Sequence, residues 1–353
     1  MTDVMIHIGL HKTASTFLQK RVFPNSFAGT DIDYNPRGLM EALIPIFEFE
    51  CYSDAWLNMA RRRFEDWKAN SNGKRLFLSA ESFSQLLYIQ NYQEHAQRLN
   101  QIFGNIRICV LIRNQYDWLT SVYKETLKSG DYQSFEDFVN WDAKRANFSI
   151  PGRRFKSKRL LTIDVEKADW NALLHSLFKS SQDVKVLLYE DLRRDIQGQL
   201  KNLSEWCGVT LSVDKLRHRR PVNPGISDNS IRWLLMYARL KKLLGFKGGY
   251  FNRFQDKQLE YADMDDYFSK RRSALPLSKL VSREILRLID RCTIYRLFQL
   301  CDPILQKLMC ELTDQMPVLR NEVMAVHHRS NEELFKVLNR KLPESYQYHE
   351  SGE

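Results

Sequence analysis

Residues 4–19 read VMIHIGLHKTASTFLQ, and the fold follows from the change of character at Gly9. Val4 to Ile8 are an apolar run of strand length, whereas Phe17, Leu18 and Val22 recur at helical spacing in a segment starting near Ser15. The chain therefore opens as strand, tight loop and helix. The loop in GLHKTASTFLQ (Gly9 to Gln19) carries one lysine and several hydroxyls. In such a turn the backbone N–H groups and the helix N-terminus make a cradle for an anion, to which Lys12 adds a mobile cation. An ordinary strand-to-helix turn capped by Thr13 or Ser15 has the same outline. The pattern GxxxxGK[ST] is not met, because Lys12 precedes the small residue Ala14 and no Gly-Lys pair stands in the loop.

Outward from this run the alternation repeats. A stretch with Pro24, Gly29, Pro36 and Gly38 leads to a helix carrying Leu57, Ala60, Phe64 and Trp67, with Arg61 to Arg63 on its wet side. RLFLSA (Arg75 to Ala80) reads as a second strand, Tyr92 to Phe103 as a helix, and IRICVLI (Ile106 to Ile112) as a third strand. A helix is expected from about Tyr116 to Lys128. DVKVLLY (Asp183 to Tyr189) is the fourth strand, followed by a helix through Leu192 to Trp206 that Gly208 closes. This order predicts an α/β fold, a three-layer parallel sheet with a P-loop-like nucleotide-binding core, whose ligands sit beyond the carboxyl ends of the strands. From Ile226 to about Leu319 only helices are expected, among them one with Ile231, Leu234, Leu235 and Ala238 on a single face and the stretch Ile285 to Leu308. The expected division is a core over 1–225 and a C-terminal helical extension over 226–353, packed on it.

Composition bounds the function. At 353 residues, with 43% hydrophobic and 27% charged, the chain has material for a core and does not fit a disordered or low-complexity class. Fifty-three Lys plus Arg against 43 Asp plus Glu leave +10, which favours an anionic partner: a nucleotide, a polyanionic sugar, nucleic acid or an acidic membrane. No run of about 18 uncharged apolar residues is present, so no spanning helix is expected. The first residues lack the pattern of a signal peptide. The six cysteines (Cys51, Cys109, Cys207, Cys292, Cys301, Cys310) form no CxxC pair and suit buried free thiols in a reducing cytoplasm rather than a zinc site or a disulfide framework.

The strand ends carry the chemistry. Arg113 leaves the third strand at its carboxyl edge, and Ser121 follows eight positions on, about two helical turns. Both could hold one phosphate, although a salt-bridged Arg and a solvated Ser would look the same. Taken in order, GLHKTASTFLQ, LIRNQYDWLTSVY and VLLYEDLRRD resemble the motifs of the PAPS-dependent sulfotransferase family, in its bacterial carbohydrate-sulfotransferase style. VNPGIS (Val222 to Ser227) and RSNEELF (Arg329 to Phe335) resemble later landmarks of bacterial members.

The resemblance implies that Lys12, Thr13, Ala14, Ser15 and Thr16 bind the 5′-phosphosulfate of 3′-phosphoadenosine 5′-phosphosulfate (PAPS), and that Arg113 and Ser121 bind its 3′-phosphate. Tyr189 resembles the tyrosine that approaches the adenine. The sequence departs from the family twice. Ala14 stands where the family has Gly, and alanine resists a positive φ. The late Arg-Lys-Gly segment is not apparent, which leaves further 3′-phosphate ligands unassigned, with Arg219 and Arg220 of the run RHRR as candidate substitutes.

Sulfuryl transfer should pass through a loose in-line transition state, by analogy with phosphoryl transfer, with charge gathering on the leaving phosphate oxygen that Lys12 would stabilise. The acceptor must also lose a proton, which needs a base. Glu81, at the end of RLFLSAE, stands where the family carries an acidic or histidine base; it could instead cap a helix starting at Ser82. His11 is the rival base. Asp191 is expected to cap the helix beginning at Leu192. No metal is required.

The expected function is transfer of a sulfuryl group from PAPS to a hydroxyl or amine of a carbohydrate or glycolipid acceptor, in the cytoplasm. Walls for the acceptor are expected from Phe23 to Ala55, from Ser129 to Leu161 and from the helical extension. The basic residues Arg153, Arg154, Lys156, Lys158 and Arg159 suit an anionic acceptor or a solvated loop. The helix Ile231 to Leu244 suits peripheral contact with an acidic membrane or a packed core. A P-loop-type nucleotide kinase shares the opening, but the missing Gly-Lys and magnesium carboxylates weigh against it. A non-enzymatic polyanion binder fits the charge, though no nucleic-acid-binding signature is present.

Overall fold

The computed structural model describes residues 3–48, 53–84, 92–128, 133–142, 145, 147–148, 162–211, 231 and 318–347. Arg219, Arg220, the basic residues at 153–159, Val222 to Ser227 and the expected helix Ile285 to Leu308 lie outside them, as do Cys51, Cys292, Cys301 and Cys310 and, except for Ile231, the whole of the helix expected at 231–244. Seven described strands are β1 (Val4–Gly9), β2 (Ile32–Tyr34), β3 (Arg75–Ala80), β4 (Arg107–Ile112), β5 (Trp141–Asp142), β6 (Asn147–Phe148) and β7 (Asp183–Leu188). Five of them form one sheet in the order β2-β3-β1-β4-β7, with every pairing parallel.

The register explains why the strands are apolar on both faces. Met5 lies beside Phe77, and Cys109, Leu111 and Leu187 carry the same face onward; Ile6, Leu78, Ile108 and Val110 make the other. Strands buried on both sides lose the polar alternation of a half-exposed sheet. On the first face Met5, Phe77, Cys109, Leu111 and Leu187 pack on Leu18, Val22, Phe23 and Phe27 and on Leu200, Leu203, Trp206 and Cys207. Each such large side chain contributes about 1.5–3 kcal/mol by leaving water. The first group belongs to a helical run made of α1 (Ser15–Phe17), a π turn (Leu18–Val22) and α2 (Phe23–Phe27). The π turn precedes Pro24, which has no N–H to offer the preceding turn.

The remaining helices are α3 (Arg37–Glu48), α4 (Asp54–Asn70), α5 (Tyr92–Phe103), α6 (Gln115–Lys128), α7 (Phe135–Phe138), α8 (Trp170–Ser180), α9 (Tyr189–Arg194), α10 (Ile196–Cys207) and α11 (Val318–Leu338). Helix α5 packs on both α4 and α8. Trp56, Leu57, Ala60 and Phe64 are the buried stripe of α4.

Three expectations change. The segment before Pro36 contains β2, an edge strand too short to show a periodic pattern. Tyr189 does not close the fourth strand; it opens α9. The single helix expected through Leu192 to Trp206 is two, because Asp195 takes φ −139° and ψ 82° and its carboxylate accepts from the Gly198 N–H at 2.9 Å. Asp191 therefore lies inside α9 rather than capping it, buried and ion-paired with Arg194 at 3.0 Å and with Arg340. Gly208 closes α10 in the left-handed conformation, φ 66°.

The chain divides into two compact units. The first, Met1–Trp118, Glu166–Asn223 and Met324–Gly352, contains the sheet, and it gathers Met324–Gly352 beyond the boundary expected at 225. The second comprises Leu119–Val165 and Pro224–Val323 with the terminal Glu353. Within it β5 and β6 pair antiparallel, the Tyr123 hydroxyl donates to the Gln133 carbonyl at 2.8 Å, and the Tyr123 ring packs on those of Phe135 and Phe138. Among the described residues no helix is long and apolar enough to cross a membrane. Cys109 and Cys207 are buried free thiols, and burial raises both pKa values, that of Cys207 to about 12.

Candidate functional site

Parallel pairing sends four strand ends to one edge of the sheet. There the loop after β1, Glu81 after β3, Arg113 after β4 and Tyr189 after β7 emerge from adjacent strands. The loop is built by turning its carbonyls onto donors. Leu10 O accepts the hydroxyls of Thr13 at 2.7 Å and Ser15 at 2.9 Å. His11 O accepts the Trp118 indole N–H at 2.7 Å, and Lys12 O accepts an Arg113 guanidinium N–H at 3.1 Å. In a planar trans peptide the next N–H points opposite to the carbonyl, so the N–H groups of His11, Lys12 and Thr13 face away from these donors. The positive ends of these three peptides therefore lie on the side of the loop away from Thr13, Ser15, Trp118 and Arg113.

The left-handed turns that shape this loop are taken by residues with side chains. Lys12 has φ 63° and Ala14 φ 67°. The expectation that Ala14 would resist a positive φ is thus met by a backbone that adopts it anyway, held by Phe17 and Leu18 N–H bonds to Ala14 O at 3.0 and 3.2 Å. Gly9 has a different role. A β carbon there would lie 2.8 Å from Ser15 Oγ, so only glycine lets α1 approach the strand this closely. Thr13 and Ser15, expected as anion ligands, are buried with their hydroxyls on Leu10 O. Their side chains brace the loop.

Glu81 and His11, expected as alternatives, are partners. His11 Nδ1 lies 2.6 Å from Glu81 Oε2, with each side chain about a quarter exposed. The Thr16 hydroxyl donates to Glu81 Oε1 at 3.4 Å. Glu81 opens a 3₁₀ turn, Glu81–Phe83, rather than capping a helix at Ser82, and Ser84 Oγ ties that turn to Gly9 O at 3.2 Å. Burial pushes the Glu81 carboxyl up, but the His11 hydrogen bond, the charges of His11 and Lys12, and the Thr16 hydroxyl together hold it below the usual carboxylate value.

Arg113 joins the loop to the start of α9. Its guanidinium carbon stands 4.4 Å from the centre of the Tyr189 ring while one N–H holds Lys12 O. Its Nε is buried without a hydrogen-bond partner among the described residues. A buried guanidinium N–H left open beside an anion-shaped loop fits a phosphate-bearing ligand. Ser121 lies on α6, partly exposed, in the second unit.

Several residues here were not singled out from sequence. Glu190 accepts the Asn114 backbone N–H at 2.9 Å and the Tyr346 hydroxyl at 3.2 Å. Burial raises its pKa, opposed by those donors and by Arg113. Asn114 caps α6 by accepting from Asp117 N at 3.0 Å, and its amide reaches Ser345 O. Asn331 donates to Tyr346 O at 3.1 Å. The signal for Trp118 and Asn114 was their place within RNQYDW, directly after a buried strand. Tyr346 had no local signal. Among the described residues no group of three His, Cys, Asp or Glu could hold a metal.

No family model matches the chain, and no curated protein matches it. Solved structures do. A sulfotransferase from Alicyclobacillus acidocaldarius is 16% identical, covers 70% of this chain and 97% of its own, and has a TM-score of 0.38. The sulfotransferase domain from the curacin biosynthetic pathway is 12% identical over 78% of this chain and 99% of its own, TM-score 0.34. Retinol dehydratase, solved in complex with androsterone and inactive cofactor PAP, is 11% identical over 76% of this chain and 78% of its own, TM-score 0.26.

Proposed function

We propose that the chain is a PAPS-dependent sulfotransferase that moves a sulfuryl group to a hydroxyl or amine of a carbohydrate or glycolipid acceptor. The supporting observation is that three motifs far apart in sequence (at 9–19, 111–123 and 186–195) meet at one sheet edge, joined by Arg113, which touches Lys12 O and the Tyr189 ring. A nucleotide bearing two separate phosphate groups suits that edge. The N–H groups of the loop and Lys12 would hold the 5′-phosphosulfate, Arg113 the 3′-phosphate, and Tyr189 would bound the adenine. The roles of Ser121, Arg219 and Arg220 rest on the sequence motif and the basic run alone.

In this reading Lys12 stabilises the charge that gathers on the leaving phosphate oxygen, and the Glu81–His11 pair disposes of the acceptor's proton. The cytoplasmic setting and the carbohydrate acceptor belong to the same proposal, resting on the buried thiols and the style of the motifs.

Calorimetry with the product nucleotide 3′,5′-phosphoadenosine (PAP) tests the reading. Binding without magnesium, in competition with PAPS and not with ATP, is expected. Failure of PAP to bind, or magnesium-dependent phosphotransfer from ATP, would overturn it.

A further inference from the structure

We propose that Tyr346, near the end of the chain, is a positioning residue for the nucleotide site: its hydroxyl engages the second oxygen of Glu190 and so keeps the Arg113 guanidinium available to a phosphate. This deepens the sulfuryl-transfer reading and rests on it. Arg113 stacks on Tyr189, and Glu190 is the next residue, so a carboxylate acts through its charge on a guanidinium whose Nε has no hydrogen-bond partner among the described residues. A carboxylate and a guanidinium in such proximity tend to close into a charge-assisted pair, which would spend the arginine. Here both carboxylate oxygens are engaged by neutral donors instead. Oε1 accepts the Asn114 backbone N–H at 2.9 Å, and Oε2 accepts the Tyr346 hydroxyl at 3.2 Å.

Tyr346 is held firmly enough to do this. It is buried and ends a 3₁₀ turn, Glu344–Tyr346, that follows Pro343. Its carbonyl accepts from Asn331 Nδ2 at 3.1 Å, and Asn331 Oδ1 accepts from Gln115 Nε2 at 2.7 Å. The Asn114 amide reaches Ser345 O and, at 3.5 Å, the Met324 sulfur. Asn114, Gln115 and Asn331 are all buried, and a buried polar network is costly when half satisfied, so the turn after β4 and the segment at 343–347 keep one register. Arg340 of the same segment pairs with Asp191, the neighbour of Glu190.

The peptide between Arg113 and Asn114 is fixed at both polar ends, its carbonyl by the Trp170 indole at 2.6 Å and its N–H by Glu190. The backbone of Arg113 therefore stays in place, and what varies is where its side chain turns. With the Tyr346 hydroxyl gone, Glu190 Oε2 lacks a donor in a site where burial already disfavours its charge, and Arg113 is the cation in its field. The guanidinium then turns from the Tyr189 ring to the carboxylate.

Calorimetry on the full chain, with PAP and with adenosine 5′-phosphate, which lacks the 3′-phosphate, is the test. Tyr346→Phe should weaken PAP by about tenfold and adenosine 5′-phosphate by less than about twofold. Adding Glu190→Gln to Tyr346→Phe should recover most of the PAP affinity, because an uncharged amide no longer draws the guanidinium. Equal losses for the two nucleotides, no loss, or no recovery would overturn the proposal. The Arg113 Nε–H resonance gives a second readout that needs no ligand. In the unaltered chain the Tyr189 ring should displace it from the position of an exposed arginine, and in Tyr346→Phe that displacement should shrink; a displacement that Tyr346→Phe leaves in place sinks the idea. Should Tyr346→Phe not fold, the unaltered chain decides: a resonance displaced by the ring and moved by PAP upholds the proposal, and one that is undisplaced or unmoved overturns it. Failure of PAP to bind the unaltered chain would instead bring down the sulfuryl-transfer reading, while the Arg113 resonance in Tyr346→Phe would still judge the role of Tyr346.

Discussion

Ala14 shows how one residue can resist a local rule and still be overruled. An alanine at φ 67° costs about 1–2 kcal/mol in backbone sterics, and the two helix N–H bonds on its carbonyl hold it there. Glycine would remove that cost but free the unfolded chain by about 0.4–1 kcal/mol. Ala14→Gly should therefore stabilise the protein by about 0.5–1 kcal/mol in urea denaturation. His7 carries the second residue-scale prediction. It is fully buried, with Nδ1 on Ser79 Oγ at 2.6 Å, and burial drives its pKa from 6.5 to about 4, against the pull of Glu81. A histidine whose folded pKa is depressed binds fewer protons than in the unfolded chain, so its neutral form supports folding above pH 6.5. That support is lost as pH falls from 6.5 to 4, by roughly 3 kcal/mol at the acid end. His7→Leu should reduce the slope of stability against pH in that window by about one proton.

At the scale of elements, the break between α9 and α10 was hidden because Leu192 to Trp206 keeps helical apolar spacing across it. What stops the helix is Asp195, whose carboxylate meets the Gly198 N–H at 2.9 Å. A β carbon on Gly198 would lie 2.1 Å from Asp195 Oδ2, so glycine and cap are one device. Asp195→Ala should cost about 1 kcal/mol in thermal or urea unfolding. Gly198→Ala should fail to give the usual gain of alanine in a helix, because it displaces the cap. Strands β3, β4 and β7 were legible to within one residue since each carries a short apolar stretch of strand length, buried in β3 and β4 and at the Leu187–Leu188 end of β7. Strand β2 was not, since three residues at an edge give no period and owe their conformation to pairing with β3.

For the whole molecule, the reach of Arg113 decides the matter, because it ties the loop after β1 to Tyr189 after β7. Lys12→Ala and Arg113→Ala should each weaken PAP binding at least tenfold in calorimetry, a loss of about 1.4 kcal/mol or more. Lys12→Arg should recover part of it. The sequence by itself determined the alternation of strands and helices, the loop with Lys12, and the identities of Glu81, His11 and Arg113, since buried apolar runs and strand ends are local features of the chain. Only the tertiary structure decided that Glu81 and His11 are partners, that the Thr13 and Ser15 hydroxyls turn inward, and that Tyr346 reaches Glu190. The physical reason is that a hydrogen bond between residues 70 or more positions apart depends on strand order and register, which no local spacing encodes; inside the loop, the direction of a hydroxyl is set by which carbonyl the left-handed turns bring to it.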